Sequence, residues 1–132
     1  ITLGSPLEMV HGDDSATRRL WEELEPIYDA AAQRNVRESH RPALPVPTSA
    51  IYSRTDGIVH WQACLTVPNE TSENIEVYGS HCGLGFNTSV AYVIADRLAQ
   101  PVDDWRPFTA PLCLRGNYPR PAAGPIALPD AA

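Results

Sequence analysis

Two side chains in this sequence have the types and settings needed for proton transfer. Asp56 lies in the polar turn Arg54-Thr55-Asp56-Gly57, and His81 in the glycine-rich segment Gly79-Ser80-His81-Cys82-Gly83-Leu84-Gly85. A neutral imidazole can take a proton from a weak nucleophile near neutral pH, provided a carboxylate fixes its tautomer and stabilises the imidazolium that forms. In that division of labour Asp56 orients the ring and His81 carries the proton. The glycines flanking His81 would let the imidazole reach out from a loop without bulky neighbours closing the site. Taken singly, an aspartate at a turn and a histidine in a glycine loop are also common structural features, so the pairing depends on what brings the two loops together.

Other residues admit two readings each. Cys82 beside His81 could act as a nucleophile or be a small buried thiol, and chain neighbours seldom point at one another. His60, four residues after Asp56, could join Asp56, His81 and Cys82 on zinc, although no HxxxH or CxxC pair supports a metal. Trp61 could line a pocket or pack beneath its loop. Trp21, Leu24 and Tyr28 could face substrate from a cap helix, or pack on a core or another subunit. His11 and His40 have no evident partners and read as solvated, and Glu22-Glu23-Glu25 as an exposed helix face.

The elements that must position Asp56 and His81 are legible from periodicity and punctuation. Ile1-Thr2-Leu3 reads as a short buried strand stopped by Gly4-Ser5-Pro6. Asp13-Asp14-Ser15 offers caps for an amphipathic helix through Leu20, Trp21, Leu24, Ile27 and Tyr28, which Pro26 should kink or split. Three prolines between Arg41 and Pro47 make an extended connector. Thr48 to Ser53 is rich in strand formers and delivers Asp56 into a loop. Ile58 to Cys64 suits a short helix or loop, and Pro68 to Ser72 a polar turn. Asn74 to Tyr78 reads as the next strand and delivers His81 into a second loop. From Asn87 or Thr88 as N-cap, Val90, Ala91, Val93, Ile94, Ala95 and Leu98 form a helix with a broad apolar face, closed by Arg97 and Gln100 before Pro101. The remainder shows no sustained period. Strands alternating with helices predict an α/β fold of about three parallel strands with covering helices, in which functional groups gather beyond the carboxyl ends of the strands.

Composition narrows the field. The 132 residues fit one domain, and 43% apolar with 20% charged content is ordinary for a globular chain. No apolar run reaches the ~18 residues needed to span a bilayer, which predicts no transmembrane segment. Ten cationic residues, all arginine, stand against sixteen acidic ones; the net charge of -6 disfavours a nucleic-acid partner. Cys64, Cys82 and Cys113 are an odd count without a spaced framework, which favours reduced thiols and a cytoplasmic setting. The opening on a strand, with no initiator methionine, reads as a fragment of a longer chain.

The segments Pro47 to Val59 and Glu73 to Gly85 resemble the last two core strands and catalytic loops of bacterial α/β-hydrolases related to lipases and esterases. Ile1 to Pro6 is similar to the strand preceding their variable cap region, and the likeness covers residues 1 to 108. It implies the C-terminal part of an α/β-hydrolase fold, with residues 7–47 as a cap-like helical insertion and connector and 109–132 as a proline-rich, mobile tail. It also implies that Asp56 and His81 are the acid and base of a catalytic triad. The family's nucleophile is a serine in a G-x-S-x-G elbow that precedes the acid and the histidine in the chain. No such elbow occurs here; Gly79-Ser80-His81-Cys82-Gly83 has histidine at its centre. The expected function is therefore that of a serine-type hydrolase of carboxylic esters, lipids included, whose nucleophile and oxyanion hole lie upstream and which needs no cofactor. This segment alone should be inactive. The alternative is a non-catalytic α/β-hydrolase-fold interaction module or truncated gene product. Truncation would leave the first strand as an open edge able to self-associate.

Overall fold

The computed structural model describes residues 1–7, 16–27, 44–101 and 103–121. The candidate caps Asp13, Asp14 and Ser15, the residues His11, Tyr28 and His40, and 122–132 with the mobility expected there lie outside this set, as does the Trp21 side chain.

Three strands, β1 (Thr2–Leu3), β2 (Thr48–Tyr52) and β3 (Ser72–Glu76), make one parallel sheet in the order β1-β2-β3. With its helices it is a small α/β fold. All five residues of β2 are buried, as expected of the middle strand of a parallel sheet covered on both faces. Its polar members find partners: Thr48 donates to the Val46 carbonyl at 2.8 Å and Ser49 to Glu73 at 2.8 Å. β3 begins two residues before the predicted Asn74. Its register explains the shift, because Ser72 pairs with Thr48 and Tyr52 with Glu76. The Ser72 hydroxyl also donates to the Val67 carbonyl and accepts from the Asn69 amide, so the polar turn runs straight into the strand.

Alternation along β2 and β3 divides the core between two faces. On one face Ile51, Ile75 and Val77 pack with Leu84, Val90 and Val93. Leu84 ends a short helix, α2 (His81–Leu84); the two valines belong to α3 (Thr88–Leu98), capped by Asn87 accepting from the Ser89 amide. The other face is covered by Val59, Ala63, Cys64 and Leu65 around Tyr52, contributed by a loop and a 3-10 turn at Trp61–Cys64. Asn74 fastens this cover by exchanging two 2.8 Å hydrogen bonds with the backbone of Thr66.

The proline-rich segment carries an element that the pattern did not show, a 3-10 helix at Leu112–Asn117. Tyr118 beyond it meets Phe108 edge-on at 4.9 Å, joins the α3-side core and donates to the Ser89 carbonyl. Phe108 is itself held by its amide to Glu73, which accepts from Arg97 of α3 at 3.0 Å. The earlier helix α1 (Ala16–Leu24) gives way to a 3-10 turn at Glu25–Ile27, where Pro26 lacks the amide to continue it. Glu22 and Glu23 are exposed, and Glu22 pairs with Arg18 at 2.7 Å one turn away. Among the described residues no helix is long and apolar enough to cross a membrane.

Ile51 is fully buried at the centre of the α3-side core. Ile51→Ala should cost about 2–5 kcal/mol, the range for deleting a buried aliphatic side chain, read as a lower midpoint in urea unfolding.

Candidate functional site

The carboxyl ends of all three strands converge on one place. The chain leaving β1 passes into Gly4, the chain leaving β2 turns through Ser53 to Asp56, and the chain leaving β3 runs through Val77 to His81. The Asp56 amide donates to the Ser53 carbonyl and closes that turn. The Asp56 side chain is only 1% exposed, and its two oxygens have separate tasks. Oδ1 accepts from the amides of Ile58 at 2.8 Å and Val59 at 2.9 Å, whereas Oδ2 meets Nδ1 of His81 at 2.7 Å. A carboxylate offers acceptors only, so Nδ1 carries the proton and the lone pair of the neutral ring lies on Nε2. Nε2 has no hydrogen-bond partner among the described residues, and the His81 side chain is 32% exposed. The arrangement can orient an imidazole and stabilise its cation while the outer nitrogen takes up a proton.

His81 opens helix α2 rather than lying in a plain loop. Ser80 caps that helix by accepting from the Gly83 amide at 3.2 Å. A Cβ on Gly83 would come within 2.9 Å of that Ser80 oxygen, so a side chain there would make the capping hydroxyl shift. Gly85 has right-handed dihedrals and open space around it, so the third glycine of the motif is not required by geometry.

Gly4 was legible in the sequence only as the end of a strand, and the structure puts it against Asp56 and His81. Its φ is +53°, its amide donates to the Ile51 carbonyl at 2.9 Å, and it is buried. A Cβ there would stand 3.2 Å from Asp56 Oδ2, 3.4 Å from His81 Nδ1 and 3.0 Å from Leu84 Cδ1. Gly4 thus covers the Asp56–His81 hydrogen bond while leaving room for it to form. No sequence signal distinguished this glycine from an ordinary strand stop.

The remaining candidates are not gathered with the dyad. Among the described residues no group of three or more His, Cys, Asp or Glu side chains could hold a metal, so zinc on His60, Asp56, His81 and Cys82 has no geometry behind it. His60 stacks on Trp61 at 6.2 Å, with Nδ1 buried and unpartnered. Trp61 packs: it stacks on Tyr52 at 5.9 Å and lies 4.2 Å beneath the Arg54 guanidinium. Arg54 donates to Glu76, which also accepts from the Tyr52 hydroxyl, and the bond to Glu76 holds the arginine above its ordinary pKa. Cys82 and Cys113 are exposed, whereas Cys64 is buried and burial, with the nearby Asp56 charge, pushes its thiol up to about 12.

No protein-family model, no curated protein and no solved structure matches the chain.

Gly4→Ala forces a side chain into left-handed dihedrals and against the dyad, so urea unfolding should show a loss of at least about 1–2 kcal/mol. Gly85→Ala should stay within about 0.5 kcal/mol of the parent. Equal losses in the two variants would remove the special place of Gly4. For Cys64, the unfolded chain releases its thiol proton near 9.0 but the native chain keeps it to about 12. Stability contributed by the protonated thiol is therefore complete below pH 9 and declines as pH rises through that window. A thiol reagent at pH 8 should modify Cys82 and Cys113 in the native protein, and Cys64 only after denaturant is added.

Proposed function

We propose that this chain supplies the acid and the general base of a serine-type hydrolase of carboxylic esters, as the C-terminal part of an α/β-hydrolase fold. The observation that carries the reading is the 2.7 Å contact between Asp56 Oδ2 and His81 Nδ1, with Oδ1 fastened by two amides, beyond the ends of adjacent parallel strands. Asp56 holds the ring in the tautomer whose Nε2 can remove a hydroxyl proton. His81 then returns that proton to the departing alcohol, and Asp56 stabilises the imidazolium between the two transfers. The nucleophilic serine and the oxyanion-hole amides come from outside these 132 residues, since the sequence holds no G-x-S-x-G. β1, at the end of the strand order, offers the edge on which a further parallel strand would bring them. Substrates are small-molecule or lipid esters, and the three unpaired thiols favour a reducing, cytoplasmic compartment.

The absent nucleophile equally favours a non-catalytic module of the same fold, and one experiment separates the two. The coding region immediately upstream should contain G-x-S-x-G after a strand pattern, and the polypeptide bearing it should cleave a chromogenic ester. In that polypeptide His81→Ala or Asp56→Asn should lower kcat by about 10⁴, the loss typical of a triad deprived of its base or its orienting acid. Turnover near that of the parent in either variant would rule out the assignment, and a start codon at Ile1 would leave the module.

A further inference from the structure

The backbone ladder between β2 and β3 makes its last rung where the Val77 amide donates to the Tyr52 carbonyl at 2.9 Å. Asp56 and His81 lie four residues beyond each of those positions, on loops that the sheet no longer aligns. A side chain takes over at the next level. Thr55 Oγ1 donates to the Gly79 carbonyl at 3.0 Å and accepts from the Gly79 amide at 3.4 Å, so one hydroxyl engages both backbone groups of a single residue across the gap. Its proton being committed to Gly79, the 3.0 Å contact with Ser53 Oγ has Ser53 as donor. Ser53 is 1% exposed and in turn accepts from the Thr55 amide at 3.2 Å. The threonine is thus held from below and holds the histidine loop from above. Thr55 immediately precedes Asp56, and Gly79 stands two residues before His81.

We infer that Thr55 is a positioning residue, whose hydroxyl extends the sheet by one side-chain rung and so sets the Asp56–His81 contact. That this contact serves ester hydrolysis rests on the proposed function above; that Thr55 sets it does not. The geometry demands an oxygen able to donate and accept at once on a short stem. Serine meets both requirements, and valine keeps the shape while leaving both groups of Gly79 unmatched.

The test is proton NMR of the whole chain without substrate, reading the His81 Nδ1 proton, which resonates far downfield while it bridges to the carboxylate and is sheltered from exchange with water. Thr55→Val should lose this resonance or raise its exchange with water about tenfold or more, and Thr55→Ser should restore it. Ser72→Ala, which removes a buried hydroxyl at the amino end of β3, opposite the end that bears these loops, should leave it unchanged and so separates positioning from a general loss of stability. Should Thr55→Val not fold, Ser53→Ala carries the same test, because it removes the donor that fixes the Thr55 hydroxyl: faster exchange supports the inference and unchanged exchange overturns it. The inference is also overturned by a parent chain lacking the resonance, by Thr55→Val retaining it with unaltered exchange, or by Thr55→Ser failing as Thr55→Val does. None of these readings uses turnover, so failure of the hydrolase assignment would be seen separately, in the upstream coding region and in ester cleavage.

Discussion

A carboxylate withdrawn from water must be given its hydrogen bonds by the protein, and the site is arranged around that requirement at Asp56. With 1% of the side chain exposed, the two amides of Ile58 and Val59 and the imidazole of His81 replace the lost solvent. The amides fix the plane of the carboxylate, and the plane fixes where the ring can stand. Any rearrangement of the 56–59 turn would leave a buried charge short of a partner, which makes the turn as much a part of the site as the histidine.

The sheet serves this arrangement by what lies on its two faces. Ile51, Ile75 and Val77 grip α3, and Tyr52 anchors the loop bearing Val59 and Cys64, so the chain on either side of Asp56 is tied to opposite faces of the same strand. β3 is held comparably by two carboxylates pointing opposite ways, Glu76 buried and Glu73 half-buried. Glu73 joins Ser49, Arg97 and the Phe108 amide on the α3 side, while Glu76 joins Tyr52 and Arg54 on the other. Replacing one partner in either cluster would leave a largely desolvated carboxylate with fewer hydrogen bonds, a costlier loss than a missing surface pair. The strand that delivers His81 is therefore pinned on both faces before the loops begin.

Beyond the sheet, small residues govern how closely the loops approach. Gly4 gives the dyad its space from the β1 side, and Thr55 ties the loops across the gap from the solvent side. Only Nε2, turned away from Asp56, is left to address another group.

Local signals sufficed for a good deal. Alternating strands and helices, the placing of Asp56 and His81 after consecutive strands, the Asn87 cap and the break at Pro26 were all legible, because hydrophobic period, capping and proline geometry act within a few residues of chain. Contacts between loops 25 residues apart are another matter, since they depend on strand register and on what packs beneath each loop. Register moved the start of β3 back to Ser72 and gave Gly4 and Thr55 places that their neighbours in sequence do not suggest, while Gly85 has open space around it. It was packing too that drew Tyr118 of the proline-rich segment onto the core, where no periodicity announced an element. The sequence by itself determined which residues could do chemistry and at which strand ends they stand. Only the tertiary structure decided that acid and base meet at 2.7 Å, because that distance is a sum of long-range packing terms that no local stretch encodes.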